Sequence, residues 1–359
     1  SSVTGFLVEG FRMAVLVLPE EPQWAAWSPV GALIANATIG LGEQANLALH
    51  ASFWWLHLVL VLGLIAYVGF SKMSHVILAP LNIFFRSSRP KGALVSIPDL
   101  ENAETFGASK IEDFTWKHLL DLDACTRCGR CQDACPAYAS GKPLNPKKVV
   151  QDLKTELFKD SGALMQVDVW PPAKPKDSVI GGVREEEVWD CTTCRACHEQ
   201  CPIFIEHIPK IVDMRRSLVM EQSRIPETAM GALKSMETRG HPWRGTRYSR
   251  TDWASGLDVK DISAGDDSID VLYWVGCTAA LEDRNQKVAV AVASVLKKAG
   301  INFGILGAEE KCCGDPARRI GNEYLYQLMA LQNIETLKKH KVKKVLTSCP
   351  HCFNTFKNE

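Results

Sequence analysis

The chain lacks a charge excess of either sign: 41 lysines and arginines stand against 41 acids in 359 residues. Without a basic surplus it has no electrostatic footprint for nucleic acid. No glycine-rich phosphate loop is present, since "GLGEQANLAL" lacks the required spacing, and no nucleophile–histidine–acid pattern stands out. No signal peptide is visible. The 13 cysteines do not form a secreted disulfide framework, which is usually short with an even count. Here the chain is long, the count odd and the cysteines tightly bunched, which favours metal ligation in a reducing compartment. Lys and Arg are absent from residues 19–56, and residues 52–70 contain neither acid, lysine nor arginine.

That charge-free stretch, "SFWWLHLVLVLGLIAYVGF", is long enough as a helix, at roughly 28 Å, to cross a hydrocarbon layer. A buried helix of a soluble protein passes the same test, so the flanks decide. Glu20, Glu21 and Glu43 lie before it; Lys72, Arg86, Arg89 and Lys91 follow. This asymmetry places the residues after 72 in the cytoplasm. Trp24, Trp27, Trp54 and Trp55 suit the outer interface. Residues 3–18 read as the outer part of a preceding helix whose start is missing, and 31–41 as a surface segment. The chain reads as a fragment open at both ends. The expected organisation is a membrane segment at 1–85, a linker at 86–115, a cysteine-bearing domain at 116–222, a second linker at 223–268 and an alternating strand–helix domain at 269–359.

Two runs, "CTRCGRCQDACP" and "CTTCRACHEQCP", share the spacing C-x₂-C-x₂-C-x₃-C-P, the bacterial ferredoxin signature for [4Fe–4S] clusters. Three closely spaced thiolates wrap one cluster and the fourth reaches its neighbour. Cys125, Cys128, Cys131 and Cys201 are therefore expected to hold one cubane cluster, and Cys191, Cys194, Cys197 and Cys135 the other. Zinc needs only four ligands per ion and leaves the third cysteine of each run unexplained. The intervening "PKKVVQDLKTELF" is helix-like, so the domain resembles the helical ferredoxin of respiratory complexes.

Five cysteines remain: Cys277, Cys312, Cys313, Cys349 and Cys352. Strand-like "DVLYWVG", "INFGILG" and "VKKVLTS" precede the three groups. Helix-like "NQKVAVAVASVLKKAG", with Gly300 as its cap, and "PARRIGNEYLYQLMALQNIETLKKH" separate them. A parallel sheet is expected, with every group at the carboxyl edge where such sheets bind ligands. The pattern C-x₃₄-C-C-G-x₃₄-C-x₂-C resembles the cysteine-rich domain of the heterodisulfide reductase catalytic subunit. That domain is shared with iron–sulfur subunits of glycolate oxidase and anaerobic glycerol-3-phosphate dehydrogenase. The resemblance implies an open, noncubane [4Fe–4S] cluster on all five thiolates, with a second such motif beyond residue 359. An ordinary cluster with a spare cysteine is the alternative.

His57 and His75 are 18 residues apart, five helical turns, and would share one face of a continuous helix. They are candidate haem ligands. Alternatively, His57 hydrogen-bonds a neighbouring helix and His75 snorkels. "HLVLVLGLIAYVGFSKMSH" and "TGFLVEG" look like the last helices of the nitrate reductase gamma subunit. That resemblance gives His57 and His75 to two different b haems, with partner histidines outside this chain; His50 ranks third. Glu9 and Arg12 suit a helical ion pair or a quinone pocket. His118, His207, His241 and His340 read as surface residues; His198 and His351 lie inside the cysteine motifs in supporting or exposed positions.

The whole order resembles fused bacterial proteins joining the two membrane-bound heterodisulfide reductase subunits. Members of that group are electron-transfer-flavoprotein:menaquinone oxidoreductases. The implied fold is multidomain: transmembrane α-helical segment, helical two-cluster ferredoxin domain, and α/β cysteine-rich domain with a parallel sheet. The implied function is electron transfer from electron-transfer flavoprotein to menaquinone in a prokaryotic cytoplasmic membrane, with the iron–sulfur domains in the cytoplasm. A quinol-coupled heterodisulfide reductase is the second reading, and a non-catalytic iron–sulfur binding protein the third.

Overall fold

The computed structural model describes residues 2–18, 22–69, 71–160, 175–265 and 268–359. The chain divides into two compact units, Ser1–Ile77 and Leu78–Glu359.

In the first unit, α1 (Ser2–Arg12) runs on into a π-helical turn, Met13–Val17. Then come α2 (Pro29–Thr38), started by Pro29 in its first turn, and α3 (Glu43–Gly69). Small residues let α1 and α2 touch: a methyl on Gly10 would fall 2.5 Å from Ile34 Cγ2. Met13, Ala14 and Ala35 fill the contact. The 31–41 segment is thus a helix with one face buried. Among the described residues α3 is the one helix long and apolar enough to cross a membrane. Its apolar window is not buried by the rest of the protein.

α3 ends at Gly69. Ser71 caps a new turn, its Oγ accepting from Met73 N at 3.2 Å, and α4 (His75–Phe84) follows. A serine that bonds the main chain two residues on competes with helix continuation. His57 and His75 therefore lie on different helices, and the expected continuous helix with both on one face is not formed.

The second unit begins with α5 (Trp116–Ala124), α6 (Arg130–Asp133), α7 (Pro136–Ala139) and α8 (Pro146–Asp160). A hairpin of β1 (Ser178–Ile180) and β2 (Val183–Arg184) leads to α9 (Glu185–Trp189), α10 (Ala196–Glu199) and α11 (His207–Arg216). α12 (Glu227–Arg239) precedes a four-stranded parallel sheet. Its strands are β3 (Lys260–Asp261), β4 (Val271–Tyr273), β5 (Phe303–Ile305) and β6 (Val345–Leu346), in the order β3-β5-β4-β6. Helices α13 (Cys277–Leu281), α14 (Asp283–Lys298), α15 (Asp315–Ile320), α16 (Glu323–Lys339) and α17 (Pro350–Asn358) surround it. The fold class is the one expected, a helical region, a helical cysteine-bearing domain and a parallel-sheet domain.

The two segments expected as linkers are built into these domains. Leu94, Ala108, Ile111 and Phe114 are buried, and Ala108 N donates to Asp213 O on α11 at 2.9 Å. Leu233, Met236, Trp253 and Ile262 join the sheet's core beside Leu272, Tyr273 and Trp274. Charged cross-ties close the unit. Arg216 on α11 donates to Glu323 at 2.8 Å and to Val95 O; fully buried Arg318 reaches Glu323 at 3.2 Å and Ser96 at 2.7 Å.

The second long helix expected in the sheet domain is broken into α15 and α16 at Gly321. Its φ is +105°, and a Cβ there would lie 2.6 Å from the carbonyl carbon of Arg215. Both the left-handed backbone and the close approach to α11 require glycine. Gly321→Ala is expected to destabilise the second unit by about 2 kcal/mol or more, read as a lower thermal midpoint. Gly265→Ala is the control and should be neutral, because an added methyl meets nothing within 4 Å.

Candidate metal centres

The two ferredoxin-like runs fold alike. In the first, Arg127 (φ 61°) and Gly129 (φ 87°) take left-handed conformations; in the second, Thr193 (φ 53°) and Arg195 (φ 71°) occupy the equivalent places. These turns curl each run around a cavity before a single helical turn, α6 or α10, carries the chain away. Left-handed backbone at non-glycine residues is strained and marks functional loops.

The cavities partition the thiols in the crossed manner. Cys125, Cys128, Cys131 and Cys201 line one, with Ile203 and Ile205. Cys135, Cys191, Cys194 and Cys197 line the other, with Leu144, Val149 and Ile211. N–H donors approach the sulfurs: Gln151 Nε2 to Cys125 at 3.2 Å, Thr193 N to Cys191 at 3.4 Å, Ile205 N to Cys201 at 3.4 Å. Burial, then repulsion from Cys125 and Cys201, pushes the Cys131 thiol up to about 12. Burial, then Cys191, Cys131 and Cys135, pushes Cys197 up as well. Four thiolates cannot share either cavity without positive charge among them, and iron–sulfur chemistry supplies it. Among the described residues no three His, Cys, Asp or Glu side chains are arranged to hold a single metal ion. The donor sets surround cavities instead, which fits clusters better than zinc.

His207 lines both cavities and is buried. Burial, then the Lys210 charge, lowers its pKa to about 3, so the ring is neutral, with Nδ1 donating to Ile205 O at 3.0 Å. Behind it the buried pair Lys210–Asp121, at 2.5 Å, ties α11 to α5. The expectation that His118, His207 and His241 are surface residues is corrected: all three are buried, because long-range packing covers them. Nothing in the motif spacing points to His207; its only signal is its place six residues after Cys201.

The remaining five cysteines do converge at the carboxyl edge of the sheet. Cys277 starts α13 after β4, Cys312 and Cys313 follow β5, and Cys349 caps α17 after β6. Cys277 Sγ and Cys312 Sγ are 3.9 Å apart. A methyl on Gly276 would fall 3.5 Å from Cys352 Sγ and 3.7 Å from Cys349 Cβ. Hydrogen bonding from Cys312 and Cys352 drives the Cys313 thiol well down. The Cys352 bond, then main-chain N–H groups of Cys352 and His351 working against burial, takes Cys349 down to about 6. Asn333 Nδ2 holds Cys312 O at 2.9 Å, and buried Glu310 accepts from Val275 N, Gly276 N and Arg250. The thiols thus form one contiguous, tightly held group that suits a polynuclear centre.

This site abuts the second quartet. Arg319 on α15, six residues after Cys313, donates to Thr193 Oγ1 at 3.1 Å, between Cys191 and Cys194. Its Nε is held by Asp315 at 2.9 Å, which also binds exposed His351 at 2.7 Å.

The histidines of the first 85 residues are not gathered into one site. His57 Nδ1 lies 2.8 Å from Thr4 Oγ1 on the neighbouring helix α1, and its ring packs beside Gly5. His50 Nδ1 lies 2.9 Å from Val8 O. His75 is the first residue of α4.

Comparison with known proteins matches residues 121–205 to a 4Fe-4S dicluster domain and residues 271–357 to a cysteine-rich domain. The chain is 40% identical to "EtfAB:quinone oxidoreductase" of Syntrophomonas wolfei, over 99% of this chain and 54% of that protein. It is 37% identical to "Probable iron-sulfur-binding oxidoreductase FadF" of Bacillus subtilis, over 93% of this chain and 52% of that one. It is 31% identical to one polypeptide of the "Dihydromethanophenazine:CoB--CoM heterodisulfide reductase" of Methanosarcina barkeri, over 68% of this chain and 59% of that one. The chain thus spans about half the length of the first two curated relatives.

Crossed ligation is testable by iron content. Cys201→Ala should lose about four iron atoms per chain. Adding Cys128→Ala should remove no more, whereas adding Cys194→Ala should remove about four further. The opposite pattern would show that each run holds its own cluster.

Proposed function

We propose, for a chain that belongs with the iron–sulfur oxidoreductases joining a 4Fe-4S dicluster domain to a cysteine-rich domain, that it carries electrons from electron-transfer flavoprotein to menaquinone. The observation that carries this is the contact between Arg319 and Thr193, which sets the five-cysteine site beside the second quartet. The second quartet in turn shares His207 with the first. Three sulfur-lined sites in series make a conduit for single electrons.

In this reading Cys125, Cys128, Cys131 and Cys201 hold one cubane [4Fe–4S] cluster, and Cys135, Cys191, Cys194 and Cys197 the other. Cys277, Cys312, Cys313, Cys349 and Cys352 hold a third, noncubane one. Such clusters supply one-electron redox chemistry. A reduced flavin delivers two electrons, and a cluster held by the five thiolates would supply the one-electron chemistry that separates them. The chain's own residues exclude water and set the charge: Ile203, Ile205, Val149 and Ile211 wall the cavities, and Arg250 and Glu310 brace the five-cysteine edge. α3 spans the membrane with residues after 72 in the cytoplasm. His57 and His75 would each hold a haem b, and the contact of His57 Nδ1 with Thr4 leaves Nε2 as the nitrogen available for it. The similarity of EtfAB:quinone oxidoreductase over 99% of the chain supports the donor and the acceptor class.

A second reading is favoured by one observation. The similarity to the Methanosarcina barkeri heterodisulfide reductase supports a reading in which the five-cysteine edge would be a substrate site for disulfide cleavage, driven by a membrane quinol.

Membranes given reduced electron-transfer flavoprotein and a menaquinone analogue should reduce the quinone. Cys313→Ala should abolish this while the other two clusters remain. Turnover only with a heterodisulfide and quinol would establish the second reading. Iron and sulfide should each approach about twelve per chain; a value near eight would remove the five-cysteine cluster.

In the full-length protein, His57→Ala and His75→Ala should each abolish one low-spin b haem and spare most of the other. Full haem absorbance in both variants would end that assignment.

A further inference from the structure

Arg215 closes the last turn of α11 and is 5% exposed. Every hydrogen bond of its guanidinium goes to a main-chain carbonyl. Nε and Nη2 donate to Val188 O at 3.1 and 2.8 Å, Nη2 to Cys191 O at 2.6 Å, and Nη1 to Arg319 O at 2.8 Å. The plane also covers the Trp189 ring, 5.3 Å from its centroid.

The other buried or half-buried arginines nearby are compensated. Arg216 pairs with Glu323 and Asp213, Arg318 with Glu323, Arg319 with Asp315, and Arg250 with Glu310. Among the described residues Arg215 has no such carboxylate. An enclosed guanidinium without an anion carries a large desolvation penalty. The thiol whose charge acts on Arg215 is that of Cys191, whose carbonyl Arg215 already holds, and Cys191 and Arg215 each favour the other's charged form. The first quartet is different: the cation acting on Cys125 is Lys154, which lies 3.7 Å from Asp123.

We infer that Arg215 is the counter-charge of the cluster on Cys135, Cys191, Cys194 and Cys197, and that it raises that cluster's reduction potential above what its thiolates alone would give. This rests on the reading that this quartet holds a [4Fe–4S] cluster. Four thiolates outweigh the core's charge, so the assembly is anionic, and each electron taken up makes it more so. A fixed positive charge stabilises the reduced form and makes this cluster the electron acceptor facing the five-cysteine site. The carbonyl bonds to Cys191 and Arg319 fix the charge across both domains at once.

The test is a redox titration of the intact, cluster-loaded protein followed by electron paramagnetic resonance. Arg215→Gln and Arg215→Met should lower one cluster's midpoint by at least tenfold in its reduction equilibrium, about 59 mV for one electron. The cluster on Cys125, Cys128, Cys131 and Cys201 should hold its midpoint, and Arg215→Lys should retain most of the lost potential. The methionine leaves no buried polar group to satisfy, so it serves where glutamine folds poorly. Loss of this cluster in both neutral variants but not in Arg215→Lys also supports the inference. An unmoved midpoint with full iron, or loss of the cluster in all three variants, would overturn it. Absence of a cluster on this quartet in the unsubstituted protein would instead remove the parent reading, and this one with it.

Discussion

Sulfur that becomes anionic repels its own kind in a low-dielectric interior, and residues 78–359 are arranged around that repulsion. The thiols are gathered nonetheless, most of them buried or half-buried. What balances them is built into the backbone. Cys349 sits at the amino end of α17, where main-chain N–H groups and the helix dipole favour negative charge. Cys277 stands at the start of α13, and Arg250 acts on it from outside the sheet. In the dicluster domain burial pushes the Cys125, Cys131, Cys191 and Cys197 thiols upward, so each quartet needs metal before its members can ionise together.

One helix gathers these demands. α11 begins with His207, between the two cavities, and continues through Lys210, whose pairing with Asp121 fixes the helix behind them. It ends in Arg215 and Arg216, which reach the sheet domain and the 86–115 segment. Gly321 lets the sheet domain's backbone press directly on this end. A single short helix thus sets the spacing of three sites.

Much of this was legible in the sequence because the chemistry is local. Cysteine spacing alone pointed to the crossed quartets, and strand–helix alternation put the five cysteines on one edge. What escaped was nonlocal. Leu94, Ile111, Phe114, Trp253 and Ile262 are apolar residues scattered in polar surroundings, and nothing in their spacing distinguishes a core contact from a linker. The break after Gly69 hinges on a serine cap, which periodicity does not register. Buried His207 and uncompensated Arg215 become visible only when their surroundings are assembled.

The strand order has a consequence for how the protein is made. β4 is synthesised before both of its sheet neighbours, β5 and β6, and the paired residues of every ladder in this sheet lie 32 or more positions apart in the chain. A chain leaving the ribosome presents Cys277, then Cys312 and Cys313, before β6 arrives to seat Cys349 and Cys352. During that interval three thiols have no completed pocket. Until β6 arrives these thiols lack the strand that completes the edge, and a thiol is more open to oxidants in that state than inside the closed sheet.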